Sequence, residues 1–269
     1  MPAVSQALVD FANHHRQEAT PGIEVIVTPR FRAMIQPDFP IAGPNNVSWI
    51  RCMAGEADDV IREARAIFAA RHLPFIWTLD PGAEPSDFAV HLSKYGVHPD
   101  PHGAQSQVMV MPIDATVEGP PIEGLEIRDA LVDLETFRLA DGAAAEAFEA
   151  NLPIGSLEYV AMQDRRRENF RAAGNRYWLM ATLHGEPAGT AGMSLFAPAA
   201  AILQGGSVRA SFRGRGIYRA LVAERQRIAR EAGVEGLTVW GGAMSAPILA
   251  GLGFEKVGWR RFYLDDSTG

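Results

Sequence analysis

The sequence predicts a mixed α/β (α+β) protein made of two similar domains. Apolar runs of strand length alternate with longer stretches in which apolar residues recur every three or four positions, the pattern of helices lying on a sheet. The order helix, strand, short helix, strand occurs once in each half of the chain, with lengths that agree to within a few residues. We interpret this order as a degenerate internal repeat.

Composition and charge limit the classes of function. The 269 residues are 47% hydrophobic, as in globular proteins, and the net charge of −7 implies no general affinity for nucleic acid. No apolar run is long enough for a membrane span, and the first twenty residues do not resemble a secretion signal. The single cysteine, Cys52, excludes an internal disulfide and a cysteine-based zinc site. We therefore expect a cytoplasmic protein.

Each element of the N-terminal half follows from a local pattern. Alternating apolar residues indicate strands, and Val60, Ala64 and Phe68 mark one face of a helix. Several prolines make residues 28–44 an irregular excursion. In order, we predict a helix at 4–18, strands at 23–27 and 47–53, a helix at 54–71, a strand at 74–79, a short helix at 85–95 and a strand at 107–111.

The C-terminal half is predicted in the same way. Residues 114–124 are a linker by composition, which places one domain at 1–113 and the other at 125–269. Arginines 165–167 are expected to form a solvated helix face. In order, we predict a strand at 125–128, helices at 131–151 (interrupted near Gly142) and 156–173, a strand hairpin at 175–183 and 188–196, a strand at 199–208, a helix at 217–232, a strand at 237–240, a short helix at 245–251 and a strand at 261–264.

A turn rich in glycine and arginine joins the strand at 199–208 to the helix at 217–232. Gly214 and Gly216 let the backbone approach a ligand, and the first N–H groups of a helix have no acceptor within it, so the turn predicts a phosphate site. The local charge agrees, with an excess of five positive charges. It comes from arginines 209, 213, 215, 219, 225, 227 and 230 against glutamates 224 and 231.

Two well-known phosphate motifs do not fit this turn. A P-loop needs a Gly-Lys-Ser/Thr run that the sequence lacks. The dinucleotide fingerprint needs a third glycine where Arg219 stands, and an acidic residue after the next strand, where Gly241 and Gly242 stand. A nucleotide-binding protein of unrelated fold that uses the same glycine turn stays open as an alternative.

The turn instead resembles the acyl-CoA-binding motif of the GNAT superfamily of N-acyltransferases, Arg-x-x-Gly-x-(Gly/Ala). Arg213 and Gly216 match it, whereas Tyr218 departs from its last position. The order of elements after the turn, with Leu252-Gly253-Phe254 before the last strand, is similar to the second half of that family. The resemblance implies two GNAT-like domains in tandem, each a mixed, mainly antiparallel twisted sheet flanked by helices, with acetyl-CoA as co-substrate.

The resemblance also implies roles for particular residues. The backbone of Val208 and Ala210 would pair with the pantetheine arm like an added strand. Arg209 would reach a 3′-phosphate or only water, and Ser245 would touch the cofactor or cap its helix. The backbone and side chains from residue 213 to 218 would bind the pyrophosphate. The predicted cofactor-binding residues are Val208, Arg209, Ala210, Arg213, Gly214, Arg215, Gly216, Ile217, Tyr218 and Ser245.

The catalytic residues are unknown at this stage. Gly242 and Leu249 stand where many relatives carry Asn and an acidic Tyr, and Gln204 lies near the usual basic Glu. Catalysis would then rest on positioning the amine against the thioester, with a backbone N–H polarising the carbonyl. Alternatively, the acid or base comes from elsewhere, with Tyr218, Tyr263, Glu158 and His184 as candidates.

These observations favour an N-acetyltransferase that acts on the amine of a small molecule or peptide by direct attack. The rival is a non-catalytic CoA-binding or sensory protein. The N-terminal copy should not bind CoA, because Glu56, Asp58 and Asp59 stand at its helix start and would repel a polyphosphate. No metal is expected, since the histidines lack ligand spacing. A homodimer is compatible with the sequence.

Overall fold

A computed structural model describes residues 3–117, 121–148 and 152–267 of the protein. Twelve strands and seven α-helices are formed by these residues. The strands are β1 Glu24–Val27, β2 Arg32–Ile35, β3 Asn46–Ser48, β4 Phe75–Leu79, β5 His98–Pro99, β6 Gln105–Pro112, β7 Leu125–Asp129, β8 Arg176–Leu183, β9 Glu186–Phe196, β10 Ala200–Val208, β11 Gly236–Gly241 and β12 Glu255–Asp265. The helices are α1 Gln6–His14, α2 Ala57–Ala69, α3 Phe88–Lys94, α4 Leu134–Ala147, α5 Leu157–Ala173, α6 Ile217–Glu231 and α7 Ser245–Gly251, with short 3₁₀ turns at Ala54–Glu56 and Ala210–Phe212.

The described residues divide into two compact units, each drawn from separate stretches of the chain. The first unit contains the described residues of Met1–His15, Val108–Trp240 and Pro247–Val257. The second unit contains those of Arg16–Gln107, Gly241–Ala246 and Gly258–Gly269. The domain limits predicted at 1–113 and 125–269 stay a prediction, and residues 118–120 of the expected linker lie outside the described part of the chain.

The first unit contains a sheet in the order β6-β11-β10-β9-β8-β7. The pairs β7–β8, β8–β9 and β9–β10 are antiparallel, and β10–β11 is parallel. Neighbouring residues of β8 serve opposite faces: Leu179 packs with Ile217 and Leu221 of α6, whereas Met180 packs with Ala140 of α4. The sheet of this unit is therefore covered by helices on both faces.

The second unit repeats this plan with its own strands. The pairs β1–β2 and β2–β3 are antiparallel, and β3–β4 is parallel across helix α2. The core lies between α2 and the sheet, around Phe68, Phe75 and Trp77. In each unit, a parallel pair joined by a helix thus lies beside antiparallel pairs. The predicted mixed α/β class, with mainly antiparallel strands flanked by helices, is confirmed.

From Gly258 onward, the last strand of the sequence lies in the second unit, beside strands from before residue 100. From Arg261 to Asp265, β12 pairs antiparallel with β4. The Asp265 side chain is 1% exposed and accepts hydrogen bonds from Arg65 Nε at 2.9 Å and Trp77 Nε1 at 3.1 Å. One buried carboxylate therefore fixes this strand to both the helix and the sheet of its unit.

Three local expectations were wrong for identifiable physical reasons. The excursion at 28–44 contains a strand, β2, and its return is fixed by the buried Asn45, which accepts from Gln36 N and donates to two carbonyl oxygens. The strand expected at 47–53 ends at Ser48, because Trp49 adopts a φ of +56°. Helix α4 runs through Gly142 without interruption, from an Asp133 cap.

The expectation of a solvated arginine face on α5 was also wrong. Arg166 and Arg167 are buried, at 3% and 9% exposure. Arg167 donates to the carbonyl oxygens of Leu131 and Val132, and Arg166 forms an ion pair with the buried Asp141 of α4. These long side chains join α5 to its surroundings where apolar residues would ordinarily do so.

We predict that Asp265→Asn lowers the unfolding free energy of the second unit by about 3 kcal/mol, because Arg65 and the Trp77 ring nitrogen would face a neutral amide in a buried position. Urea unfolding followed by tryptophan fluorescence measures the change. The matched control is Asp266→Asn at the exposed neighbouring position, which should shift the midpoint little. Equal midpoints for the two variants would refute the role of Asp265.

Candidate active site

The candidate site begins where two parallel strands separate. β10 and β11 pair at Ala201–Leu237, Ile202–Thr238 and Leu203–Val239. Both strands continue beyond this point, to Val208 and Gly241, but no further pair between them is formed among the residues that the structure describes. The edge of β10 beyond Leu203 therefore presents backbone groups that β11 does not use.

A bulge on β10 coincides with this separation. On the other side of β10, the register with β9 shifts between Gln204–Gly192 and Ser207–Thr190, so that two residues of β10 oppose one of β9. The two residues that oppose one are Gly205, at a φ of +58°, and Gly206. The bulge re-aims the strand directly after the last β10–β11 pair.

An indole lies under the bulge on the α4 face of the sheet. Cβ atoms built on Gly192 and Gly205 would lie 2.9 and 3.1 Å from the ring of Trp178, so only glycine fits at both places. Trp178 Nε1 is buried and has no acceptor within the described residues. On the same face, Gln204 Nε2 donates to Ser194 Oγ at 3.0 Å.

A tyrosine and an arginine lie under the bulge on the α6 face. A Cβ built on Gly206 would lie 3.2 Å from Tyr218 Cε2 and 3.4 Å from Arg225 Nη2. Arg225 is 1% exposed, and it donates through Nε to Leu221 O and through Nη1 to Gly192 O. Its Nη2 has no acceptor of ordinary geometry among the described residues. The guanidinium thus lies buried without a carboxylate hydrogen-bonded to it there.

Burial and mutual interaction shift the pKa values of this pair in definite directions. Burial lowers the pKa of Arg225 to about 10, although the Tyr218 oxygen acts in the opposite direction. Burial also raises the pKa of Tyr218, and the nearby Arg225 charge limits that rise. Tyr218 is therefore a neutral phenol at neutral pH.

The turn after β10 presents its backbone donors to solvent. Gly214 and Gly216 adopt φ values of +77° and +82°, and the first bond onto the turn from α6 runs from Ala220 N to Gly216 O. In the described part of the chain, no acceptor contacts the backbone N–H groups of 214–219. Because the helix dipole is positive here, the turn can bind an anion without rearrangement.

The arginines of the turn differ in how far their guanidinium groups are already bonded within the protein. Arg209 is held by its own protein, since Nε donates to Glu146 Oε2 at 2.8 Å and Nη1 to Pro187 O at 2.8 Å. Arg213 and Arg215 are exposed and make only single bonds to backbone oxygens, at 3.2 and 3.4 Å. Arg219 lines a cavity of about 260 Å³ beside the first turn of α6, together with Thr116, Val117, Gly251 and Leu252.

The structure places the other predicted cofactor contacts as follows. Val208 ends β10, and its carbonyl oxygen accepts from Arg213 Nε. Ala210 begins a 3₁₀ turn rather than extending the strand. Ile217 is buried as the first residue of α6, and Ser245 is the first residue of α7. The turn residues 213–218 and the end of β10 thus come together at the start of α6.

The remaining candidate acids and bases occupy separate places. Glu158 is exposed in the first turn of α5, and His184 lies in the β8–β9 turn at a φ of +51°. Tyr263 lies in the sheet of the second unit, opposite Trp77. Of the four candidates, Tyr218 alone contacts the bulge.

A buried polar network holds α4 and α5 together on the other side of the first unit. Asp141 accepts hydrogen bonds from Tyr159, Gln163 and Arg166. Burial, together with the Asp141 charge, raises the pKa of Tyr159 to about 12. The three donors converge on one buried carboxylate within the protein, so we assign the network a structural role.

The described residues form neither a metal-binding cluster nor a helix able to span a membrane. They contain no group of three or more His, Cys, Asp or Glu side chains arranged to hold a metal ion. No helix formed by them is both long enough and apolar enough to cross a membrane.

Comparison with known proteins gives a family match over part of the chain. Residues 143–246 match the model of the acetyltransferase (GNAT) family, a range that includes β8–β11, the glycine turn and α6. The GNAT resemblance predicted from Arg213 and Gly216 is confirmed over this part of the chain. No curated protein matches the chain.

Solved structures share the fold over most of the chain. A GCN5-related N-acetyltransferase from Kribbella flavida is 17% identical, with a TM-score of 0.65 over 91% of this chain and 90% of that one. A functionally unknown conserved protein from Staphylococcus epidermidis ATCC 12228 is 12% identical, with a TM-score of 0.67 over 91% and 95%. A tandem GNAT protein from the clavulanic acid biosynthesis pathway is 16% identical, with a TM-score of 0.58 over 93% and 85%. At these identities the likeness concerns the fold.

The buried pair under the bulge is what sequence reasoning missed. In the sequence, Arg225 counts among the arginines of the local positive excess. It follows Leu221 by four positions, however, and so lies on the apolar face of α6. That spacing was the available signal, because a charged residue on a buried stripe needs a specific reason to be there.

We predict that Gly192→Ala destabilises the first unit by about 2 kcal/mol, because the new methyl group would overlap the Trp178 ring in a packed position. Thermal or urea unfolding measures the loss. Gly142→Ala is the matched control, since a Cβ there meets nothing within 4 Å inside α4, and it should stabilise by about 0.5–1 kcal/mol. Destabilisation by both variants to the same extent would contradict the packing argument.

Proposed function

We propose that the first unit binds acetyl-CoA and transfers its acetyl group to the amine of a small molecule or peptide. One observation carries the proposal: the unused amides of 214–219 lie directly beyond the point where β10 leaves β11, within the range that matches the GNAT family. A polyphosphate and an extended arm attached to it require these two features side by side.

The chain's own groups suit the parts of this co-substrate. The turn amides and the exposed guanidinium groups of Arg213 and Arg215 would hold the pyrophosphate. The free edge of β10 after Leu203 would pair with the amides of the pantetheine arm. Arg209 contributes indirectly, since its bonds to Glu146 and Pro187 O fix the end of β10.

The reaction would be direct attack. The neutral amine nitrogen forms a bond to the thioester carbon, the tetrahedral intermediate collapses, and the carbon–sulfur bond breaks to release the thiol. The bulge at Gly205 and Gly206 supplies backbone N–H groups near the separation of the strands, where one can polarise the carbonyl oxygen. Orientation of the two reactants supplies much of the rate enhancement.

One observation favours the rival, a CoA-binding protein without transferase activity. Gln204, near the expected base, is a neutral amide that donates to Ser194. Release of free thiol from acetyl-CoA in the presence of a panel of amines separates the two proposals. Calorimetry with CoA, NAD and ATP separates both from a nucleotide-binding protein.

We further propose that the second unit is a GNAT-like copy that does not bind CoA, so that the protein is of the tandem type. Its helix α2 follows a 3₁₀ turn in which the Glu56 carboxylate accepts the N–H of Met53 at 2.9 Å. Asp58 and Asp59 occupy the first turn of α2. An acidic helix start of this kind opposes polyphosphate binding. The proposed compartment is the cytoplasm, where the thiol of the single, buried Cys52 would stay reduced.

We predict that Arg213→Ala/Arg215→Ala weakens acetyl-CoA binding about tenfold, because two charges facing the pyrophosphate are lost. Isothermal titration measures the dissociation constant. Arg227→Ala on the adjoining helix α6 is the control, since Arg227 is paired with Glu224 and Glu231 and its loss should leave affinity within about twofold. An equal loss in both variants would point to general charge rather than to this turn.

A further inference from the structure

The proposed transfer needs a proton donor for the departing sulfur, and the residue expected in that role is absent. The departing thiolate has a conjugate acid of pKa about 8.5, so a neutral donor beside the sulfur assists its release at neutral pH. The positions at which the family resemblance placed Asn and the acidic Tyr hold Gly242 and the buried Leu249. A donor on another element is therefore needed.

Tyr218 is the hydroxyl-bearing side chain that the fold brings to the bulge. It is half-buried, and its ring lies against Gly206, whose missing side chain leaves room for it. The same bulge interrupts the pairing with β9 and lies just past the last β10–β11 pair. The phenol is thus next to the stretch of β10 along which the pantetheine arm is proposed to run.

The interaction with Arg225 leaves the Tyr218 hydroxyl free to donate a hydrogen bond. A guanidinium carries donors only, so the Tyr218 oxygen is the acceptor where these two groups interact. Within the described residues, the Tyr218 hydroxyl donates to no acceptor. Its proton therefore remains available to a ligand at the bulge.

Resting on the proposed function, we propose that Tyr218 is the proton donor to the departing sulfur and that Arg225 is the residue that positions it. When the carbon–sulfur bond breaks, sulfur keeps the bonding electron pair and takes the phenolic proton. The tyrosinate left beside the Arg225 guanidinium then takes up, through water, the proton given up by the acylated nitrogen. Amine and thioester become amide and thiol, with no other reactant consumed.

The first test is Tyr218→Phe, which keeps the ring against Gly206 and removes only the hydroxyl. Acetyl-CoA and a fixed amine panel of spermidine, tryptamine, ethanolamine and a lysine peptide serve as probes, and the best acceptor is used. We expect kcat to fall about 100-fold while the acetyl-CoA dissociation constant stays within about threefold. Tyr177→Phe on β8 is the matched control and should keep the wild-type kcat.

The second test is the pH profile of kcat. If Tyr218 had only a structural role, changing the pKa of its hydroxyl would not shift this profile. The donor acts in its protonated form, so activity falls as pH rises through the pKa of Tyr218. Incorporation of 3,5-difluorotyrosine at 218 acidifies the phenol and should move this high-pH limb downward. Arg225→Met removes the charge that limits the rise in the pKa of Tyr218, so the limb should move upward.

The outcomes separate this proposal from the function on which it rests. Suppose that wild-type protein binds acetyl-CoA and acetylates an amine. The role of Tyr218 is then overturned, and the function stands, if Tyr218→Phe keeps kcat within threefold of wild type. The same holds if the high-pH limb of kcat stays in place in both the 3,5-difluorotyrosine protein and Arg225→Met. If wild-type protein releases no thiol with any of the four amines, the transferase proposal itself fails.

Discussion

The separation of β10 from β11 is the constraint on which the site depends. A parallel pair that stops at Leu203 and Val239, while both strands continue, leaves a row of backbone donors and acceptors with no partner in the sheet. Such an edge is ordinarily costly in a folded interior. Here Gln204 is exposed and Gly205 and Gly206 are partly exposed, so this end of the strand is accessible to water, and the bulge itself lies between two large side chains.

Those two side chains explain the cluster of glycines. Trp178 fills the α4 face under Gly192 and Gly205, and Tyr218 fills the α6 face under Gly206. The bulge is therefore clamped from both sides by aromatic rings rather than left flexible. Burial of the Arg225 guanidinium beside Tyr218 adds a polar contact to this aromatic packing.

The sequence predicted what depends on local chemistry and missed what depends on long-range pairing. The glycine turn, the α6 helix and the strand on each side of it follow from spacing and turn residues, and the structure places them at 200–241 as expected. The placement of β12 beside β4 could not be derived, because antiparallel pairing between residues about 190 positions apart has no local signature. The burial of Arg166 and Arg167 was hidden for the same reason, since their acceptors lie on other elements.

The departure of Tyr218 from the family motif then has a physical explanation. A small residue at this position would leave a void beneath Gly206, and a larger residue than glycine at 206 would press on the ring at 3.2 Å. The two positions therefore compensate each other in size, with the bulk moved from the strand to the helix. That exchange brings a phenol to the place where the strand edge is open, which a conventional motif with glycine or alanine could not do. On the proposal that Tyr218 donates the proton, the departure from the motif and the missing acid have a single explanation.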